Sequence, residues 1–240
     1  MDLGALPSAS EGIRMVEKFV DCSLGSLSVS FSSVGCWNVR GMMSENRLTL
    51  DPLKVTQLLF SAIQNNLGVL ALTEVHCRGL RLEGQCRDHF KDQWSYHLSG
   101  DLAGGSTGTG FITSPKLKVL DFRAVSPRLS IIKTIPVISP DYPALPDVAL
   151  SVTFSCYAPT ESAGSPEEFF AFYDDIDIAL GECIRSGTYP LVTGDFNIRL
   201  GPDMGANDDG DGCTGPLAEN LSEASENCSL LFGICRKYNY

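Results

Sequence analysis

Residues 191–197 read LVTGDFN: an apolar pair, a threonine and a glycine, then an aspartate and an asparagine two places apart. A short apolar run that breaks at glycine and delivers polar groups is the end of a strand opening into a turn. Alone, Asp195 and Asn197 make an ordinary Asx-type turn. Three other segments end in the same manner. ALTEVH at 71–76 closes on Glu74, CWNVRG at 36–41 carries Asn38, and CYAPT at 156–160 carries Tyr157. Taken singly they are a solvated acid, an amide ending a strand and a tyrosine tethering a loop; strand ends converging on one edge can build one site.

The segments between them alternate strand and helix. Leu27, Val29 and Phe31 alternate with serine and the pattern runs on to Val39, a strand signal that delivers Asn38. Val55, Leu58, Leu59, Ala62 and Ile63 recur at helical steps after Asp51 and Pro52, so 51–66 is an amphipathic helix with cap and first-turn proline. Val69–Thr73 is an apolar run of buried-strand length. Five strands follow at 94–98, 109–114, 117–125, 128–135 and 147–156, separated by Gly, Pro and Ser. Ser165-Pro166-Glu167-Glu168 forms a capping box opening a helix to about Arg185, with Phe169, Phe172, Tyr173, Ile176, Leu180 and Ile184 inward. After Asp195 comes a Gly- and Asp-rich loop to about Pro216, then a last helix from about Asn227 with Leu231, Ile234, Cys235 and Tyr238 at helical spacing. Residues 1–27 read as a poorly ordered leader, partly helical at 11–20.

Composition bounds the rest. Apolar residues at 43% and charged residues at 20% describe a chain that folds. No apolar stretch approaches the ~20 residues that span a bilayer, so no membrane partner is expected. The first ten residues lack a basic leader and apolar block, which points to an intracellular setting. Nine scattered cysteines without a C-x-x-C pair do not form a disulfide framework, and His76, Cys77, Cys86 and His89 match no common zinc spacing. The net charge of −11 opposes nonspecific nucleic-acid binding, which depends on basic surface.

In order and residue type the four segments resemble the endonuclease/exonuclease/phosphatase family. Within it, CWNVRGM at 36–42, TGTGFITS at 107–114, SPRLSIIK at 126–133, CYAPTES at 156–162 and the Asn227, Leu230, Leu231, Cys235 spacing resemble the apurinic-type endonuclease domain of non-LTR retrotransposons and its domesticated relatives. The resemblance covers residues 28–240. It implies an α/β, DNase I-like four-layer sandwich of two mixed β-sheets flanked by helices, and Mg²⁺- or Mn²⁺-dependent cleavage of DNA in the nucleus. It also implies roles: Glu74 as metal carboxylate, Asn38 at the metal or phosphate, Asp195 activating water, Asn197 holding Asp195 or the phosphate, and Tyr157 donating to the phosphate. His76, two residues past Glu74, reads first as an exposed loop histidine and second as a liner of the site.

One departure bears on activity. The family pattern continues to a last core strand bearing Asp and His, whereas the last histidine here is His97. The chain is therefore expected to be C-terminally truncated relative to the family, nearly inactive on plasmid or abasic DNA with Mg²⁺, and prone to self-association through the edge that strand would cover. Two rival readings are an impaired or domesticated copy serving as an interaction module, and an inositol or lipid phosphate phosphatase. Three decoys have ordinary explanations: Gly104–Gly110 lacks the G-K-[ST] ending of a nucleotide cradle, Asn207, Asp209, Asp211 and Gly212 open a calcium-like loop whose twelfth position is Ala218, and Asp174, Asp175 and Asp177 lie on an outer helix face.

Overall fold

The computed structural model describes residues 14–16, 33–45, 48–103, 105–137, 150–160, 164–198 and 225–238. The calcium-like loop and nearly all of the 1–27 segment lie outside these. The chain divides into two compact units, residues 1–157 with 188–194, and residues 158–187 with 195–240. The class is α/β, two mixed β-sheets flanked by helices.

The first unit is built around one crossover. Strand β2 (Ser33–Asn38) leads through helix α1 (Pro52–Gln64) to β3 (Leu67–Thr73), which pairs parallel to β2 with Asn38 opposite Thr73. Helix α1 forms where its sequence caps it: the Asp51 carboxylate accepts the amides of Leu53 and Lys54 at 2.9 and 3.4 Å, and Pro52 sits in the first turn. Its Val55, Leu58, Leu59 and Ala62 are buried. Each of the larger side chains contributes about 1.5–3 kcal/mol relative to exposure. They meet Leu70 and Leu72 of β3, which is buried along its whole length.

The remaining strands are β4 (Leu82–Arg87), β5 (Gln93–Ser99), β6 (Thr109–Thr113), β7 (Leu117–Ser126), β8 (Leu129–Pro136), β9 (Ser151–Tyr157) and β10 (Leu191–Asp195). With β1 (Arg14–Val16) they form sheets of order β1-β2-β3-β6-β5-β4 and β10-β9-β8-β7. Between the sheets lie Val69, Ala71, Phe111, Phe122 and Ile132, with the rings of Phe111 and Phe122 edge to face at 6.4 Å. Beside them is a layer of small hydroxyl side chains. Thr109 Oγ1 and Ser130 Oγ are 2.7 Å apart and fully buried, Ser155 Oγ donates to the Leu72 carbonyl at 2.8 Å, and Ser99 Oγ to the Ser126 carbonyl at 3.0 Å. These bonds tie one sheet to the other by direction as well as by area.

Two sequence expectations are corrected. The helix expected over 11–20 is absent at Arg14–Val16, which instead pairs antiparallel with Cys36, Gly35 and Val34. The outer edge of β2 offers unpaired backbone groups, and a strand satisfies them where a helix cannot. Strand β4 falls in a stretch where no strand is expected: LEGQCR alternates Leu82, Gly84 and Cys86 with Glu83, Gln85 and Arg87, matching its alternating exposure, but glycine in the middle leaves only two apolar side chains to carry the signal. It places Glu83 against His97, with Nδ1 to Oε2 at 2.9 Å. Burial holds the His97 imidazole below its ordinary value, against the opposing pull of Glu83.

In the second unit, α2 (Pro166–Arg185) starts at the expected capping box: Ser165 Oγ accepts from the Glu168 amide at 3.3 Å and Glu168 accepts from the Ser165 amide at 3.4 Å. Its inner face buries Phe169, Phe172, Tyr173, Ile176, Ala179 and Leu180. Helix α3 (Glu226–Tyr238) is joined to α2 by Lys237 to Asp177 at 2.6 Å and by Tyr238 Oη to the Asp177 carbonyl at 3.1 Å. Its expected apolar face, Leu231, Ile234, Cys235 and Tyr238, is only half-buried. The deepest residues are Asn227 and Cys228 in its first turn.

The hydroxyl layer gives a direct test. Thr109→Val strands the Ser130 hydroxyl in a buried setting and is expected to cost about 1–3 kcal/mol in urea unfolding. The double change Thr109→Val with Ser130→Ala removes both partners and recovers most of that loss, giving a coupling energy that two independent sites lack.

Candidate active site

The parallel ladder of β2 and β3 continues past both strands. Val39 donates to the Thr73 carbonyl at 3.0 Å, Gly41 to that of Glu74 at 2.6 Å, and Met42 to that of Val75 at 3.0 Å. Residues 36 apart in sequence are thereby held side by side, and Asn38 Nδ2 donates to Glu74 Oε1 at 2.7 Å. The Asn38 Oδ1 in turn accepts the Arg40 amide at 3.1 Å. Both ends of the amide are thus engaged, and its orientation follows from the turn rather than from solvent. Lys54 of α1 donates to the carbonyls of Gly41 and, at 3.4 Å, of Arg40, so a cation also braces this turn.

The backbone here is strained. Arg40, Glu74 and His76 all have φ in the left-handed region, at 44°, 55° and 57°, and Gly41 sits at 89°. For non-glycine residues that conformation costs on the order of 1–3 kcal/mol each and persists only where surrounding bonds overdetermine it. The bonds are present: besides those above, Val75 donates to Gly108 at 3.2 Å and His76 to Thr107 at 3.0 Å. His76 is not the exposed loop residue of the first reading. Its Nε2 lies 3.9 Å from Glu74 Oε2, with the two side chains only 25% and 22% exposed.

Tyr157, in the same unit, ends β9. Its amide donates to the Arg128 carbonyl at 2.9 Å, Arg128 Nη1 donates to its carbonyl at 3.4 Å, and the guanidinium stands 5.4 Å over its ring. Sequence reasoning assigns Arg128 no role, although it lies in the SPRLSIIK stretch at 126–133 that carries part of the resemblance.

In the second unit, the Asp195 carboxylate accepts the Asn197 amide at 3.1 Å and the Asp195 carbonyl accepts the Ala158 amide at 2.9 Å. Asn197, at φ 47°, donates through Nδ2 to the Ala158 carbonyl at 2.8 Å. Buried Asn227 donates through Nδ2 to the carbonyls of Pro159 at 2.8 Å and Asn197 at 3.5 Å. Its own carbonyl accepts from Tyr173 Oη at 3.0 Å. Asp195 and Asn197 therefore meet in one unit, Asn38 and Glu74 in the other. Asn227 is a residue whose structural role the sequence leaves open.

As a cation site the first unit offers few protein donors. Among the described residues no three His, Cys, Asp or Glu converge. Cys77 and Cys86 are poor candidates, since burial pushes both thiols up to about 11 and a thiol that keeps its proton is not a metal ligand. Glu74 with Asn38 fits a hard divalent ion that retains several waters and takes one or two protein oxygens.

No protein-family model matches the chain, and no curated protein matches it. Among solved structures it is similar to a variant of the 3′ phosphatase NExo from Neisseria bound to product DNA hairpin, at 13% identity and a TM-score of 0.42, covering 72% of this chain and 60% of that one. It is also similar to the human Nocturnin catalytic domain with bound sulfate anion, at 11% identity and a TM-score of 0.40, covering 68% and 64%. The chain thus spans less than two thirds of either. Likeness at this level speaks to neither substrate nor activity. Among the described residues no helix is long and apolar enough to cross a membrane.

The glycine before Asp195 is a structural requirement. At φ 149°, a Cβ on Gly194 would stand 1.9 Å from the Cys156 carbonyl oxygen, whereas Gly187, at φ 75°, has open space. Gly187→Ala is expected to cost about 1–2 kcal/mol, the left-handed penalty alone. Gly194→Ala should lose at least twice as much in the same denaturation measurement, because backbone must move.

Proposed function

We propose that this chain is a divalent-metal-dependent phosphodiesterase of the endonuclease/exonuclease/phosphatase kind, from the retrotransposon-endonuclease branch, that nicks the DNA backbone in a nuclear setting. The observation that carries the reading is the 2.7 Å bond from Asn38 to Glu74 at the ends of two adjacent parallel strands. The resemblance pairs these two residues, and neither an accidental strand-end amide nor a solvated acid requires it.

The chemistry follows from the groups. A phosphodiester is anionic and resists attack, so hydrolysis needs charge neutralisation, an aligned water and donors to the nonbridging oxygens. Glu74 and Asn38 are the residues to hold Mg²⁺ or Mn²⁺, which when bound supplies Lewis acidity and electrostatic relief. Asn38 fixes the Glu74 carboxylate by its N–H, a charge-assisted bond worth about 1.5–3 kcal/mol. Asp195 is the general base that takes the proton of the attacking water, and the Asn197 amide limits its rotation. Asn197 spends its side chain on the Ala158 carbonyl, which makes it a positioning residue for the turn that carries Asp195. The Tyr157 hydroxyl donates to the phosphate, with Arg128 beneath its ring. Lys54, whose ammonium donates to the carbonyls of Arg40 and Gly41, supplies positive charge next to the turn after Asn38 in an acidic chain.

The test is relaxation of supercoiled plasmid with Mg²⁺ or Mn²⁺, alongside calorimetric titration of each ion. Slow, metal-requiring nicking is expected, with weak ion binding that Glu74→Gln abolishes and Asp209→Asn leaves intact. Asp195→Asn should keep ion binding and lose at least about 100-fold in rate, as for a group that acts in the transition state. Ion binding that survives Glu74→Gln and disappears in Asp209→Asn would move the metal to the acidic loop and sink the proposal.

A further inference from the structure

We infer that His76 supplies an imidazole nitrogen to the same cation, so that the site selects first-row transition ions such as Mn²⁺ over Mg²⁺. The inference rests on the reading that Glu74 holds a divalent ion. With Oε1 taken by Asn38, the second carboxylate oxygen, Oε2, is the one 3.9 Å from His76 Nε2. That separation exceeds a hydrogen bond. Adjacent ligands on one ion, with metal–nitrogen and metal–oxygen bonds of about 2.1 Å, stand about 3.0–3.4 Å apart, so a closing movement of roughly half an ångström to one ångström by the two side chains places both atoms on the same ion.

The backbone supports a built pair. Glu74 and His76 are both left-handed, and they flank Val75, which is fully buried and bonded on both sides, to Gly108 and from Met42. Two strained residues are kept in register around one anchored residue, and their functional atoms come together. Gly41 completes the arrangement, since a Cβ there would lie 3.0 Å from His76 Nδ1 and press on the ring. A free loop histidine needs none of this.

Ligand chemistry then sets the preference. Mg²⁺ takes oxygen and binds imidazole poorly, while divalent first-row ions gain from a nitrogen donor, least for Mn²⁺, rising to Cu²⁺ and falling again at Zn²⁺. Glu74 alone fits a hard ion, whereas Glu74 with His76 is a mixed set that rewards a transition metal.

The experiment uses the full chain with Mn²⁺ alone as probe. Electron spin echo modulation of bound Mn²⁺ is expected to show ¹⁴N coupling from a directly bound imidazole. His76→Ala and His76→Gln should lose the coupling, and Mn²⁺ affinity by titration should fall about tenfold while Mg²⁺ affinity changes less than about twofold. Melting curves confirm that the variants fold, and the wild-type spectrum decides the matter if they do not. Mn²⁺ bound through Glu74 without ¹⁴N coupling, or His76→Ala weakening both ions equally, overturns the inference and leaves the proposed function standing. Absence of any Glu74-dependent ion binding overturns both.

Discussion

The parallel pairing of β2 with β3, continued beyond the strands by three backbone hydrogen bonds, is the constraint on which the candidate site depends. A parallel pair needs a crossover, and α1 supplies it, held by its Asp51 cap and by four buried side chains. Once the register is set, residue 38 must lie beside residue 74, and the amide and carboxylate meet without further arrangement. The strain at Arg40, Glu74 and His76 is then absorbed locally, since each bond of the extended ladder would be lost if the turn relaxed. A site on strand ends is more precise than one on a free loop for this reason.

The second unit solves a different problem with a similar device. Ala158 and Pro159 follow directly on Tyr157, and their carbonyls are taken by Asn197 and Asn227. Asn227 is buried because its amide serves two carbonyls, and Tyr173 of α2 secures its backbone. The most buried part of α3 is accordingly its polar first turn rather than its apolar stripe. A buried amide left without these acceptors would cost about 1–3 kcal/mol, which explains why an asparagine stands where an apolar residue would otherwise pack.

What is legible in the sequence follows from local physics. Both capped helices can be read to within a few residues, because Asp51-Pro52 and the Ser165–Glu168 box act on neighbours in the chain. The buried strands β3, β6, β8 and β9 show as apolar runs, so the strand-end positions of Glu74 and Tyr157 follow from them, while those of Asn38 and Asp195 follow from the shorter signals of β2 and β10. Two edge strands escape: β4, whose alternation is carried by only Leu82 and Cys86 around Gly84, and β1, which is held only by the open side of β2. The contact of His76 with Glu74 is also beyond reach. It depends on left-handed backbone at two non-glycine residues, which periodicity does not encode, and on room left by Gly41, thirty-five positions away. Arg128 beneath Tyr157 is a contact between strand ends of the same kind.

The central claim is that Glu74, oriented by Asn38, is the carboxylate that holds the ion. Anomalous diffraction from crystals soaked in Mn²⁺ measures this most directly. The account predicts a peak about 2.2 Å from a Glu74 carboxylate oxygen, the distance of a direct bond. A peak at Glu83 and His97 or in the 207–211 loop, with none at Glu74, would contradict it.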